Sequence, residues 1–281
     1  MFPFWLLIAV AAGFSSNLFN FSSRHYLRKK KDSTAFAWLL ELVRTIIYIC
    51  ILPFAFHFVI TPYSLLIFFL LSLSETLSVY FTMKMHEHSH LSLSTIISRT
   101  RLIWVALISF LFFGEKLSTF EYASIALLMV GLLIITSPKK ITGDKGVKYA
   151  HFATFFAALD IIFLKAAAPF TTATGAAMIM GILSIILLPI FMHNRKTRIK
   201  KVIQTLHFRS AIPIIANTSG SLLLAWALSL GVASIVTGIY QGMMVFSVLG
   251  GIILLKEHKD TKRKLLGCVI ALVAIILLTF K

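Results

Sequence analysis

Long apolar runs alternate with short polar breaks along the whole chain. A helix that spans a bilayer needs about 20 mainly apolar residues, and the runs reach or approach that length. Several breaks are rich in lysine and arginine, as expected for loops between spans. The pattern predicts an all-α polytopic membrane protein with ten transmembrane helices, at 2–22, 33–55, 62–83, 91–113, 118–137, 147–168, 171–192, 209–230, 232–255 and 264–280.

Composition and charge narrow the class of protein. The 281 residues are 58% hydrophobic and 13% charged, which excludes a disordered chain. A net charge of +17 would suggest nucleic acid in a soluble protein. Here almost all the basic residues lie in the breaks, so we expect no nucleic-acid partner and a cationic surface that faces an anionic leaflet. The run at 2–22 lacks a basic n-region and a cleavage site, which predicts a retained span.

The two halves of the chain repeat each other's polar positions. The segment "FLFFGEKLSTF" ends the fourth predicted span at Glu115, and "IILLKEHKDTK" ends the ninth at Glu257, an offset of 142 residues. The same offset places Arg99 opposite Gln241. Internal repeats of this kind predict two structurally equivalent halves.

Five spans in each half is an odd number, so the halves are predicted to be inverted relative to each other. The predicted domains are a first five-helix repeat at 1–138, a connecting loop at 139–146 and a second five-helix repeat at 147–281. Many secondary transporters have this organisation, with the substrate site near the midplane between the repeats.

The segment "FGEKLSTFEYASIALLMVGLLII" (113–135) resembles the drug/metabolite transporter superfamily in its ten-span EamA-like form, with a weaker similarity at 256–278. The chain departs from the family pattern near Leu102 and Met244, where a proline is common, and Glu257 lies in an unusually basic loop. The resemblance covers almost the whole chain. It implies export or exchange of small metabolites by alternating access, usually without ATP. No cofactor is expected.

Lysine and arginine are concentrated in the loops after odd-numbered spans. The positive-inside rule places those loops in the cytoplasm and both termini outside. Members of the family are commonly drawn with both termini inside, so the charge pattern and the resemblance disagree on orientation. The predicted location is the cell (plasma or inner) membrane, as a multi-pass protein.

Charged side chains in the middle of a span are costly and mark functional or paired positions. Glu41 and Arg44 are three residues apart on one helix face, which predicts a structural ion pair. Glu75 and Arg99 lie at matching depth in neighbouring spans, so we expect them to meet in the substrate site or in an ion pair. Arg101 lies two residues after Arg99, about 200° around a helix, and is predicted to pack against a carboxylate such as Glu41 or to snorkel.

The predicted substrate site combines polar and aromatic side chains near mid-span. An alternative for the aromatic residues is that they simply belong to apolar helices and line no pocket. Lys165 is expected to extend to the membrane interface. The predicted substrate-binding residues are Arg99, Glu75, Asp160, Gln241, Asn217, Asn17, Tyr240 and Trp104.

Motifs of catalytic or metal sites are not found in the sequence. The segment "HEHSH" places His86, His88 and His90 at alternate positions, but no fourth ligand is visible, so no metal site is predicted. The chain has no HExxH helix, phosphate-binding glycine loop or nucleophile elbow, and no enzyme is expected.

The leading hypothesis is a secondary active transporter, an exporter or exchanger, of a small metabolite such as an amino acid or organic anion. Its expected partners are the lipid bilayer, the small-molecule substrate, protons and a second copy in a homodimer. The alternatives are a lipid-phosphate flippase and an intramembrane lipid-modifying enzyme, which would show clustered carboxylates or histidines at one membrane face. A non-transporting scaffold would gain nothing from the cost of inserting charges.

Overall fold

The computed structural model describes residues 4–27, 32–54, 56–88, 97–136, 145–204, 210–246, 248–249 and 260–279. Some predicted features fall outside these ranges: the start of the fourth span, most of the connecting loop, Glu257 and His90. Within the described ranges the chain is all-α, with one isolated bridge between Phe58 and Thr171. The α-helices of these ranges are α1 (Phe4–Leu27), α2 (Ser33–Ile51), α3 (Pro62–His88), α4 (Arg101–Phe113), α5 (Thr119–Thr136), α6 (Lys145–Ala167), α7 (Ala173–Leu187), α8 (Arg195–Gln204), α9 (Ala211–Leu230), α10 (Ala233–Gly242) and α11 (Thr261–Thr279).

Most helices coincide with predicted spans. Two shorter apolar segments, Thr119–Ile135 and Ala233–Phe246, accompany the long ones, and α4 and α11 occupy two further predicted positions. The number of ten crossings therefore stays a prediction. In the part of the chain that the structure describes, six segments are long and apolar enough to cross a membrane: Phe4–Ser23, Ser33–Phe54, Pro62–His88, Gly146–Ala167, Ala173–Phe191 and Ala211–Leu230.

Helix α8 begins within the segment "HNRKTRIKK", so the prediction of a loop between the spans is wrong there. Its lysines, arginines and glutamine favour helix. Val202 is buried and Ile199 is partly buried, in a cluster with Tyr26 and Phe36. This packing stabilises a helix that is too short to be stable by itself in water.

Helix packing repeats between the halves of the chain. The contact of α3 with α6 has its counterpart in that of α1 with α9, and the contact of α4 with α6 in that of α1 with α10. Three further contacts join equivalent helices: α2 with α7, α4 with α10 and α5 with α11. This arrangement agrees with the offset of the polar positions in the sequence.

Helices α5 and α11 meet at small residues. A Cβ atom on Gly131 would lie 2.7 Å from the backbone nitrogen of Ala271, and one on Gly267 would lie 2.7 Å from the carbonyl oxygen of Gly131. Gly267 and Ala271 are four residues apart, the spacing that lets two membrane helices approach closely.

The regular helix is interrupted at equivalent positions of the two halves. Residues 97–99 are helical, but the chain turns at Thr100 before α4 begins. Helix α10 ends at Gly242 and a turn follows at Met243. The interruptions fall near the positions where the family commonly has proline, although this chain has none there.

Candidate functional site

A central cavity of about 120 Å³ lies between α1, α2, α3, α4, α6, α7, α9 and α10. At about 30 Å³ of liquid volume per water, a space of this size corresponds to about four water molecules, which suits a small metabolite. Its charged lining residues are Glu41, Arg44, Glu75, Arg101 and Asp160. The uncharged polar and tyrosine side chains of the lining are Ser16, Asn20, Ser78, Thr82, Asn217, Ser221 and Tyr240.

The cavity extends toward one end of the helix bundle. Besides the mid-helix charges, its walls include Asn20, seven residues before the end of α1, and Met83, five residues before the end of α3. These residues lie toward the end that carries the lysine-rich loops after odd-numbered spans.

Arg44 on α2 forms the centre of a buried ion-pair network. Its side chain is 1% exposed, and it donates through Nη1 to Glu75 Oε1 at 2.6 Å and through Nη2 to Glu41 Oε2. The pair with Glu41 follows from their spacing along one helix, while Glu75 comes from α3. One guanidinium is therefore shared by two carboxylates.

The structure places Arg101 at the cavity and Arg99 away from it, whereas the sequence predicts the opposite. Arg99 donates to the carbonyl oxygen of Gln241 at 3.4 Å and contacts the sulfur of Met244, away from the cavity. Glu75, its predicted partner, pairs with Arg44. Arg101, predicted to lie outside the site, lines the cavity. The two arginines lie on different sides of the segment, as their spacing predicts, but the segment is rotated so that Arg101 and not Arg99 lines the cavity.

Asp160 and Arg101 are the charged lining residues that do not take part in the Arg44 network. Asp160 on α6 is 6% exposed, and its Oδ1 has no hydrogen-bond partner among the residues described. The Nε atom of Arg101 is likewise without a partner there. Neither side chain belongs to an ion pair of the described ranges. A carboxylate with one unpartnered oxygen and a guanidinium with one unpartnered nitrogen thus share one small cavity.

Two uncharged residues of the predicted site also line the cavity, Asn217 and Tyr240. The Tyr240 hydroxyl donates to Ser16 Oγ at 2.6 Å, which joins α10 to α1.

The remaining predicted residues lie elsewhere. Asn17 donates to the carbonyl oxygen of Gly13 in its own helix at 2.7 Å. Gln241 is buried outside the cavity lining. Trp104 is 38% exposed on the outer surface and packs edge-on against Phe155, with ring centroids 5.3 Å apart.

Tyr48 belongs to the same region and is not among the site residues predicted from the sequence. Its fully buried side chain donates to the carbonyl oxygen of Thr218 and lies 2.8 Å from Ser221 Oγ, which joins α2 to α9. Its position four residues after Arg44 on α2 is the signal that places both side chains on one helix face.

A second polar cluster lies at the opposite end of the bundle. Lys165, expected to reach the interface, donates to the carbonyl oxygen of Gly231 at 2.6 Å and lies 3.3 Å from Glu115 Oε1. Glu115 also accepts from the backbone nitrogen of Ala233 at 3.1 Å and from Ser234 Oγ at 3.3 Å. We call these five residues the Lys165 cluster. They join the ends of α4, α6 and α9 to the start of α10.

Apolar helices packed around a small charged cavity define the class of multi-pass membrane transport proteins. The family model described as the EamA-like transporter family matches residues 3–137 and again 144–280, so the chain belongs to this family and contains two of its repeats. Membership makes it a membrane transporter of small molecules, and transporters of this family are generally not enzymes.

The fold is also found in a solved structure. A crystal structure described only as that of a protein superimposes with a TM-score of 0.72 at 10% identity, over 97% of this chain and 98% of its own. That likeness concerns the fold alone. No curated protein matches the chain.

Proposed function

We propose that this protein is a secondary active transporter that exports or exchanges a small zwitterionic metabolite such as an amino acid. The central cavity is its binding site. The observation that carries the proposal is the presence of Arg101 and Asp160 in that cavity, each with an unsatisfied buried atom. A substrate carboxylate binds Arg101 and a substrate ammonium binds Asp160.

The charges of the lining favour a zwitterion over a simple organic anion. Glu41, Glu75 and Asp160 supply three carboxylates, while Arg44 and Arg101 supply two guanidiniums. Arg44 is already shared by Glu41 and Glu75. An anion would therefore meet an uncompensated carboxylate at Asp160. A zwitterion gives an oppositely charged partner to Arg101 and to Asp160, the two charged lining residues that form no ion pair within the described ranges. Buried charges are stable only when paired.

Alternating access is supported by the contrast between the two ends of the bundle. The cavity extends toward the lysine-rich end, and the Lys165 cluster holds four helices together at the other end. In the proposed cycle this cluster separates when the site faces the opposite side. If the protein lies in a plasma or inner membrane with its lysine-rich loops on the cytoplasmic side, the cavity faces the cytoplasm. Protons are the proposed coupling ion, and Glu75 or Asp160 carries them. We also propose that the chain forms a ten-span inverted repeat and that two copies form a homodimer.

The two neighbouring arginines provide the test. Purified protein in detergent is screened for ligand-induced shifts of the thermal midpoint with amino acids and with matched dicarboxylates. We expect Arg101→Gln to abolish the shift caused by the amino acid that binds, because the substrate carboxylate loses its partner. Arg99→Gln is the matched control and keeps the shift.

Asp160→Asn separates zwitterions from anions. The variant should lose the response to the amino acid and gain a response to anions of similar size, because the repelling carboxylate is gone. A response to dicarboxylates in the wild type, or a ligand shift that survives Arg101→Gln and is lost in Arg99→Gln, would contradict this assignment.

A further inference from the structure

Helix α8 carries an exposed basic face. Five of its ten residues are lysine or arginine and none is acidic. Arg195, Lys196, Lys200 and Lys201 are exposed, while Val202 faces the protein. Within the described ranges none of these four side chains belongs to an ion pair.

The helix lies at the edge of the apolar part of the bundle. The segment that spans the membrane before it ends at Phe191, and the side chains of Ile190 and Phe191 are 66% and 50% exposed, as expected for contact with lipid tails. Arg195 follows four residues later, so α8 lies at the level of the lipid headgroups. Ile203, 49% exposed, extends the apolar surface beside the lysines.

The inner side of α8 is fixed to the protein. Arg198 binds Asp32 through two hydrogen bonds, one of them from Nη2 to Oδ1 at 2.6 Å. Asp32 is also the N-cap of α2 and accepts from the backbone nitrogen of Ala35 at 3.0 Å. The one arginine that faces inward is therefore neutralised, whereas the outward face keeps its full charge.

We propose that the exposed face of α8 is a binding site for the headgroups of anionic phospholipids. The site is independent of the transport function and would exist in a protein that moved a different substrate. Lysines held at the headgroup level next to exposed apolar side chains suit a phosphodiester whose acyl chains lie along α7. Because Arg198 joins α8 to the N-cap of α2, a bound lipid also restrains the start of the helix that carries Glu41 and Arg44.

The experiment compares two triple variants of the full chain. Lys196→Gln/Lys200→Gln/Lys201→Gln removes three charges from α8. Lys262→Gln/Arg263→Gln/Lys264→Gln removes three charges from the start of α11, beside another lysine-rich loop. Each protein is titrated in neutral detergent with phosphatidylglycerol or phosphatidylcholine, and the thermal midpoint and the number of lipids bound by native mass spectrometry are recorded.

We expect phosphatidylglycerol to raise the midpoint of the wild type more than phosphatidylcholine does. The α8 variant should bind phosphatidylglycerol at least fivefold more weakly, since each basic residue at an anionic surface contributes about a fivefold factor. The α11 variant should keep most of the response. Equal losses in both variants, or equal responses to the two lipids, would refute a site on α8. A midpoint shift of the same size with inorganic phosphate would show a site for free anions and overturn the lipid assignment.

Discussion

Arg44 shows how three charges can be kept inside a membrane protein. Glu41 and Glu75 each place an oxygen on its guanidinium, and all three side chains are buried. Replacing Arg44 with glutamine leaves two buried carboxylates facing each other without a cation. Removing one partner of a buried pair typically costs about 3–5 kcal/mol, because the other charge stays uncompensated.

We therefore expect Arg44→Gln to lower the free energy of unfolding by about 3–5 kcal/mol. Glu75→Gln should cost less, since the pair between Arg44 and Glu41 remains. Denaturant unfolding in detergent, at a pH where carboxylates are ionised, measures both values. Equal losses for the two variants would show that Glu41 alone does not hold Arg44.

Asp32 gives the fold an acid-sensitive contact outside the membrane spans. Burial alone would raise the pKa of its carboxyl group, but the hydrogen bonds from Arg198 and from the backbone of Ala35 outweigh burial, and the pKa falls below its ordinary value of 3.8. A depressed pKa stabilises the folded state fully above the unfolded value. That contribution is lost as the pH falls through the folded value.

The thermal midpoint of the wild type should therefore fall more steeply below about pH 4 than that of Asp32→Asn, which lacks this proton-linked contribution. The variant should be less stable near neutral pH, and the difference should shrink in acid. Midpoints measured at pH 6, 4 and 3 test the trend, and a constant difference across this range would contradict it.

Spacing along one helix correctly predicted a contact between charged residues, whereas equal depth in the membrane did not. Glu41 and Arg44 lie in one helix three residues apart, so their contact depends only on helix geometry. The pair expected between Glu75 and Arg99 required the rotation of two separate helices. Sequence does not give that rotation, and the rotation decides which of the two arginines faces the cavity.

At the level of elements, the contact between α5 and α11 depends on the absence of side chains. Gly131 has no room for a Cβ against the backbone of Ala271. Gly131→Leu should separate the two helices and lower the free energy of unfolding by roughly 1–3 kcal/mol, the usual cost of overpacking. Val130→Leu is the control, because Val130 is 48% exposed on the adjacent face.

Denaturant unfolding of both variants in detergent provides the measurement. A cost for Val130→Leu as large as that for Gly131→Leu would mean that the bulk of the residue, and not the helix contact, sets the loss. The hydrophobic pattern predicts the helices but not this contact, since a glycine in an apolar run does not reveal which helix approaches it. The same pattern does not predict α8, because its dense positive charge resembles that of a loop and hides the two apolar positions that face the protein.

At the scale of the whole molecule, the Lys165 cluster makes the two ends of the bundle unequal. Lys165→Gln removes the cation that lies between Gly231 and Glu115, so the ends of α6 and α9 should separate more often. The state in which the site faces this end should become more populated. Lys116→Gln is the control, since Lys116 is an exposed lysine next to Glu115 in the same loop.

A cysteine at Thr237 reports this opening. Thr237 is fully buried on α10, between Ser234 of the cluster and Tyr240 of the cavity. In a background with Cys50→Ser and Cys268→Ala, a membrane-impermeant maleimide should label Thr237→Cys several-fold faster when Lys165→Gln is added. Unchanged labelling with Lys165→Gln, or the same increase with Lys116→Gln, would show that the cluster does not hold this end closed.

The pairing of Glu41 with Arg44 inside one helix also bears on how the protein is made. Synthesis proceeds from the N-terminus, so α2 reaches the bilayer before α3 does. An isolated arginine in that segment would resist insertion, but a carboxylate three residues away accompanies it in the same turn of helix. Helix α2 can therefore enter the membrane as a unit without net charge, and Glu75 joins it only after α3 has followed. The spacing of Glu41 and Arg44 thus allows α2 to insert before its partner helix arrives.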